Sequence, residues 1–330
     1  MCSSGGFAVK TTRETRVARA YIWNSAKKSG NWDDPANWLV DGAETEDYPS
    51  TSSDTAAFSE GTTATVALTT KRTIGKLDLS ANGIDVTFAN GAASLEASKL
   101  TVNDIDMDKA KTGTGGSFTL DGVSFQSNVE TYLGLGRKFK FVNGAYLYLP
   151  NAKSVWPTAE GSEFWVTGGS TANITGALLV GPGLVLIDDS TVTLTWQLWF
   201  CGSSATLRFL GANPLLKVGA QAAYFDSASS SDTRLEFAIP KDGYATIPLQ
   251  IGSSLSGTGN RKITVDVMPS SPAKLEGKPL QTTLVKASSI DTATVLEGNL
   301  PGSPDRFVWT GTTTLGVDLA SLRGFMLIVR

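Results

Sequence analysis

The chain has 330 residues, 41% hydrophobic and 18% charged, with 34 glycines and a net charge of −3. That mix suits many short strands joined by turns and excludes long helices and disorder, and the charge leaves no broad basic field for nucleic acid or anionic lipid. Histidine is absent, which excludes His-based triads, imidazole acid–base chemistry and His-ligated zinc or iron.

Residues 1–20 lack the apolar core of a signal peptide and read as a disordered or extended arm, with Lys10, Arg13, Arg16 and Arg19 as solvated charges. No apolar run reaches the length of a transmembrane segment. Cys2 and Cys201 are too far apart in sequence to suggest a disulfide framework. Residues 21–70 form a capping segment that holds Trp23, Trp32 and Trp38 among Asn, Asp and Pro. Short alternating stretches follow, TIGKLDLS (73–80), IDVTF (84–88) and SKLTVNDIDM (98–107), each bounded by turn formers.

From Phe118 to Lys217 a turn signature recurs, anchored at Gly122, Gly144, Gly169, Asp189 and Ala212, with spacings of 22, 25, 20 and 23 residues. Before each anchor stands Asp121, Asn143, Gly168, Asp188 or Gly211, types that turn the backbone or tolerate the left-handed region. Five residues before the anchors come Ser117, Phe139, Phe164, Leu184 and Leu207, and three before come Thr119, Phe141, Val166, Leu186 and Phe209. Three after come Phe125, Leu147, Ala172, Val192 and Leu215. Apolar columns at the two-residue period of strands, in repeats too short to bury their own apolar face, predict units that stack on one another. The predicted fold is all-β, a right-handed parallel β-helix (β-solenoid) with coils of about 20–25 residues. Coils are expected over 71–268, a rod on the order of 40 Å long. The Pro-interrupted stretch 269–330 is expected to close its far end with β structure, as the Trp-rich segment closes the near one, because open sheet edges invite aggregation.

Trp23, Gly30-Asn31-Trp32, Pro35-Ala36-Asn37-Trp38, Tyr48-Pro49, Asp54-Thr55-Ala56-Ala57-Phe58 and Thr73-Ile74-Gly75-Lys76-Leu77 form an opening motif. It resembles the start of bacterial surface or secreted right-handed β-helix proteins of the autotransporter-passenger type. LQTTLVKASSI, LEGNLPG and RFVWTG near the C-terminus are similar to the closing coils of such passengers. The resemblance implies an extracellular or cell-surface, non-catalytic rod used in adhesion, surface structure or glycan binding. A polysaccharide-active enzyme (a lyase or a two-carboxylate hydrolase) and a phage-type fibre or spike are alternatives on the same scaffold.

The alternation places Lys140, Tyr146, Tyr148, Trp165, Trp199 and Arg208 on outer faces, with Lys140, Trp165 and Arg208 in one column. Aromatic planes and cations along a flat sheet suit a glycan partner. Val192, Leu194, Trp196, Leu198 and Phe200 are expected to share the inner face. Asp104, Asp106 and Asp108 alternate along one strand and offer oxygen ligands to calcium, against the plainer reading of a solvated acidic stripe. Asp188-Asp189 has the composition of a glycosidase carboxylate pair, but its turn column already accounts for it.

Overall fold

The computed structural model describes residues 17–107, 115–201, 204–221, 223–225, 233–240, 242–256, 263–267, 281–291, 295–299, 308–310 and 312–318. Among these residues there is no α-helix, only a 3-10 turn at Pro35–Asn37, and hence no helix long and apolar enough to cross a membrane. The strands form three sheets of fifteen, eleven and seven strands. One coil visits them in turn: Lys138–Val142 lies in the eleven-stranded sheet, Tyr146–Leu149 in the fifteen-stranded and Val155–Trp156 in the seven-stranded. The next coil, Glu163–Thr167, Thr171–Ile174 and Leu178–Val180, pairs with it parallel and in register on all three sides. The chain is a parallel β-helix.

Its interior is a set of columns. Phe118, Phe139, Phe164, Val185, Leu207 and Leu235 follow one another through the ladder pairs, and so do Leu120, Phe141, Val166, Ile187, Phe209 and Phe237. All twelve are buried. In-register parallel pairing sets like side chains one strand spacing apart, about 4.8 Å, so each ring is roofed by the next. Phe118 and Phe139 stack with nearly parallel rings 5.4 Å apart, as do Phe209 and Phe237 at 5.0 Å.

The pairing corrects the expected columns at several positions. Ser117, Thr119, Leu184 and Leu215 stand on outer faces, and Phe118, Leu120, Val185 and Leu216 fill the interior. Leu186 pairs with Trp165 and Arg208 on the outer face, where neighbouring side chains cover it, and Ile187 points inward. The cause is variable corner length. Five residues carry the chain from Leu120 to Phe125 and from Ile187 to Val192, through one left-handed residue, Gly122 or Asp189. Six carry it from Phe141 to Leu147 and from Val166 to Ala172, through two, Asn143-Gly144 or Gly168-Gly169. A period-2 strand converts each one-residue difference into a change of face. Trp196 is corrected for the same reason: Thr191–Leu194 and Leu198–Phe200 are separate strands, and Trp196 lies in their corner, 46% exposed.

Both ends of the fifteen-stranded sheet finish on reversed strands. Ala20–Trp23 pairs parallel with Thr55–Ala57 and antiparallel with Trp38–Val40, which pairs with Ala43–Glu44. At the other end Thr314–Asp318 runs antiparallel to Gln281–Lys286 and carries Val308–Thr310 beyond it. The expected tryptophan cap is present: Trp23, Trp32 and Trp38 are fully buried. Their indole N–H groups donate to the carbonyls of Lys27 (3.0 Å), Pro49 (2.8 Å) and Trp32 (2.8 Å), so no polar edge is left unmatched. Trp32 meets Phe88 at 5.6 Å and joins the cap to the coil stack.

A polar clasp holds the cap to the coils. Asp33 accepts from Arg72 Nε at 2.7 Å and from the Thr69 and Thr70 hydroxyls at 2.9 and 3.0 Å, while the Arg72 guanidinium lies 5.2 Å over the Tyr48 ring. Burial alone would raise the Asp33 carboxyl. The hydrogen bonds from Arg72, Thr69 and Thr70, with the Arg72 charge, outweigh it and hold the group below the ordinary carboxylate value. A carboxyl depressed on folding stabilises above its unfolded value, about 3.9, and loses that contribution as pH falls through its lower folded value. Asp33→Asn should therefore lower the melting temperature at pH 7, and the gap from the unchanged protein should close below about pH 4. A gap that persists unchanged at pH 2 contradicts the clasp.

Candidate functional site

The coil corners point the outward candidates in three directions. Lys140, Trp165 and Arg208 do share a column of the eleven-stranded sheet, linked through Leu186. Tyr146 and Tyr148 project from the fifteen-stranded sheet, where Asn173 Nδ2 donates to the Tyr146 hydroxyl at 2.9 Å. Trp199 projects from the seven-stranded sheet. The six do not converge.

The Lys140 column is largely matched within the protein. The Lys140 and Lys138 ammonium groups lie 4.8 and 5.8 Å from the Trp165 ring centroid, and Lys138 also pairs with Glu163 at 2.9 Å. Arg208 pairs with Glu236 in the next coil at 2.5 Å. The cations cover the half-buried indole, so this face offers a ligand little free charge and little open ring.

The seven-stranded sheet differs, and the sequence reading singled out only Trp199 of it. Tyr132 pairs with Trp156, their rings 5.1 Å apart. Val155 pairs with Leu178, which sets Leu179 next after Trp156 along the ladder, and Leu179 pairs with Trp199. Tyr132, Trp156, Leu179 and Trp199 thus form an outward column through four coils, opposite the inward Thr131, Val155, Leu178 and Leu198. Trp199 is 38% exposed, and Trp196 in the corner before it 46%. The Tyr132 hydroxyl donates to Glu130 Oε2 at 2.5 Å; this bond, then burial, pushes the phenol up to about 12. Strands of two or three residues leave too short an alternation for a pattern in sequence, so the outward positions of Tyr132 and Trp156 are visible only in the fold.

The carboxylates have local tasks. Asp189 adopts a left-handed turn (φ 45°), and its Oδ1 accepts from the backbone N–H of Ala212 at 2.6 Å and Asn213 at 2.8 Å. It is a turn residue that ties one corner to the next. Asp188 stands beside it, its carboxyl raised by burial and then by the Asp189 charge. Asp104 is exposed on its strand and Asp106 half-buried, and the Lys76 ammonium lies 3.6 Å from Asp106 and 2.8 Å from Asp78. Asp108 lies outside the described residues, as does Cys2. Among the described residues no group of three or more His, Cys, Asp or Glu side chains is placed to hold a metal.

No protein-family model, curated protein or solved structure matches this chain.

Because a lysine stands among these aspartates, adding calcium should leave the melting temperature unchanged in a thermal scan, whereas a calcium-dependent rise would assign them a metal.

Proposed function

We propose that this chain is a non-catalytic extracellular or cell-surface β-helix of the type its terminal motifs resemble, and that it binds glycans along its seven-stranded face. One observation carries the reading: Tyr132, Trp156 and Trp199 stand in a single outward column with Trp196 exposed beside it. A pyranose ring presents an apolar face edged by hydroxyls, and an indole offers a matching rigid plane with a donor on its rim. Steps of one coil, about 4.8 Å, let neighbouring rings meet neighbouring sugars of a chain laid along the rod. The rigid scaffold fixes the rings before binding, so little conformational freedom is lost. The surface route implied by the motif resemblance agrees with a rod whose chemistry lies on its sides.

A glycan array probed with the unchanged protein, Trp199→Ala and Trp165→Ala tests the reading. At least one polysaccharide should be retained, and Trp199→Ala should weaken it about tenfold, the effect of losing one aromatic stack. Trp165→Ala should leave binding unchanged. Failure to retain any glycan, or equal retention by Trp199→Ala, overturns the proposal.

A further inference from the structure

Several cations on the sheet faces are matched by a carboxylate one coil away, as Lys76 is by Asp106, Lys138 by Glu163, Arg208 by Glu236 and Arg234 by Asp266. Among the described residues Lys217 and Lys286, like Lys99 and Lys140, have no such partner. Lys217 and Lys286 stand in one outward column of the fifteen-stranded sheet with Gln250 between them. Among the described residues no carboxylate lies within ion-pairing distance of either. Together with Gly252, Ala287 and Ser288 they line an open groove of about 320 Å³.

The groove lies at the corner between the fifteen- and seven-stranded sheets. Gly219 N–H donates to Leu194 O and Gly252 N–H to Val218 O, so the corners of three coils stack directly. A Cβ on Gly219 would lie 2.4 Å from Thr195 O, and one on Gly252 would lie 2.5 Å from Gly219 O. No side chain fits at those two corner positions, because each would meet the backbone of the coil before it. Thr195 and the exposed Trp196 lie in the corner one coil before Gly219.

We propose that this groove binds the carboxylates of an acidic polysaccharide, which deepens the glycan reading above and rests on it for the neighbouring sugar contacts. Lys217 and Lys286 are two coils apart, about 10 Å, and Gln250 between them supplies amide hydrogen bonding. Each sugar of an extended chain advances by about one coil height, near 4.8 Å. A chain charged on alternate sugars therefore meets the two ammonium groups in turn. Nucleic acid needs a long basic track to match its dense phosphates, and two lysines on a chain of net charge −3 do not supply one.

Binding of hyaluronate, which carries a carboxylate on alternate sugars, is measured by calorimetry beside its methyl ester, with sheared duplex DNA as a second polyanion. Hyaluronate should bind with an affinity that falls with salt, and the ester should bind at least tenfold more weakly. Lys217→Gln/Lys286→Gln, both changes on exposed side chains, should lower hyaluronate affinity about tenfold and leave the melting temperature unchanged. If Trp199→Ala weakens binding but the lysine variant and the ester do not, the aromatic face stands and the groove proposal falls. If the lysine variant weakens binding and Trp199→Ala does not, the groove stands and the aromatic face falls. Absence of hyaluronate binding, or equal lysine-dependent retention of DNA, overturns the groove proposal.

Discussion

In-register stacking of one coil on the next is the constraint from which the rest of the structure follows. No single coil has an interior of its own, because three short strands and their corners enclose only a thin triangle of side chains. Burial comes from the neighbours above and below. Phe139 is covered because Phe118 and Phe164 occupy the same column. The arrangement is close to one-dimensional: each coil's stability is shared with two others, and the terminal coils need partners of another kind. Trp23, Trp32 and Trp38 at one end and the antiparallel closing strands at the other meet that need.

The outer faces obey the same register. Side chains that are neighbours across the ladder are chosen in complementary pairs, as in Lys138–Glu163, Arg208–Glu236, and the amide contact from Asn128 to Asn103. Exposed pairs of this kind add little stability individually, typically under about 1 kcal/mol. Their effect is on register, since a slip of one residue separates the paired charges and turns the aromatic interior outward. Against that background of internal matching, the unmatched Lys217 and Lys286 and the partly bare Trp196 and Trp199 are informative. They gather along one side of the rod and its adjoining corner.

Much of the architecture was legible because its signal is periodic. The inward positions of Phe139, Phe141, Phe164 and Val166 follow from alternation alone, and the cap from the density of tryptophan among turn formers. What was not legible is the phase of each coil. It depends on whether a corner uses one left-handed residue, as at Gly122, or two, as at Asn143-Gly144, and both kinds look alike in composition. Ser117, Thr119, Leu184 and Leu186 were displaced by one residue for that reason, Leu215 by a longer corner between Phe209 and Leu216, and Trp196 by a corner hidden within an apolar run. The surface was legible residue by residue but not as a surface. Lys140, Tyr146 and Trp199 are outward in sequence and in space, yet they face three directions, and only the closed coil shows Trp156 and Trp199 aligned on one of them.

The stacked interior itself is tested most directly at its centre. Phe139 is fully buried between Phe118 and Phe164, while Thr119 lies on the outer face of an adjacent strand. Denaturant unfolding of Phe139→Ala should show a loss of about 3–5 kcal/mol, the cost of a buried phenyl truncated to a cavity. Thr119→Ala should cost less than about 1 kcal/mol. Equal, small losses at both positions would contradict a continuous apolar interior shared from coil to coil.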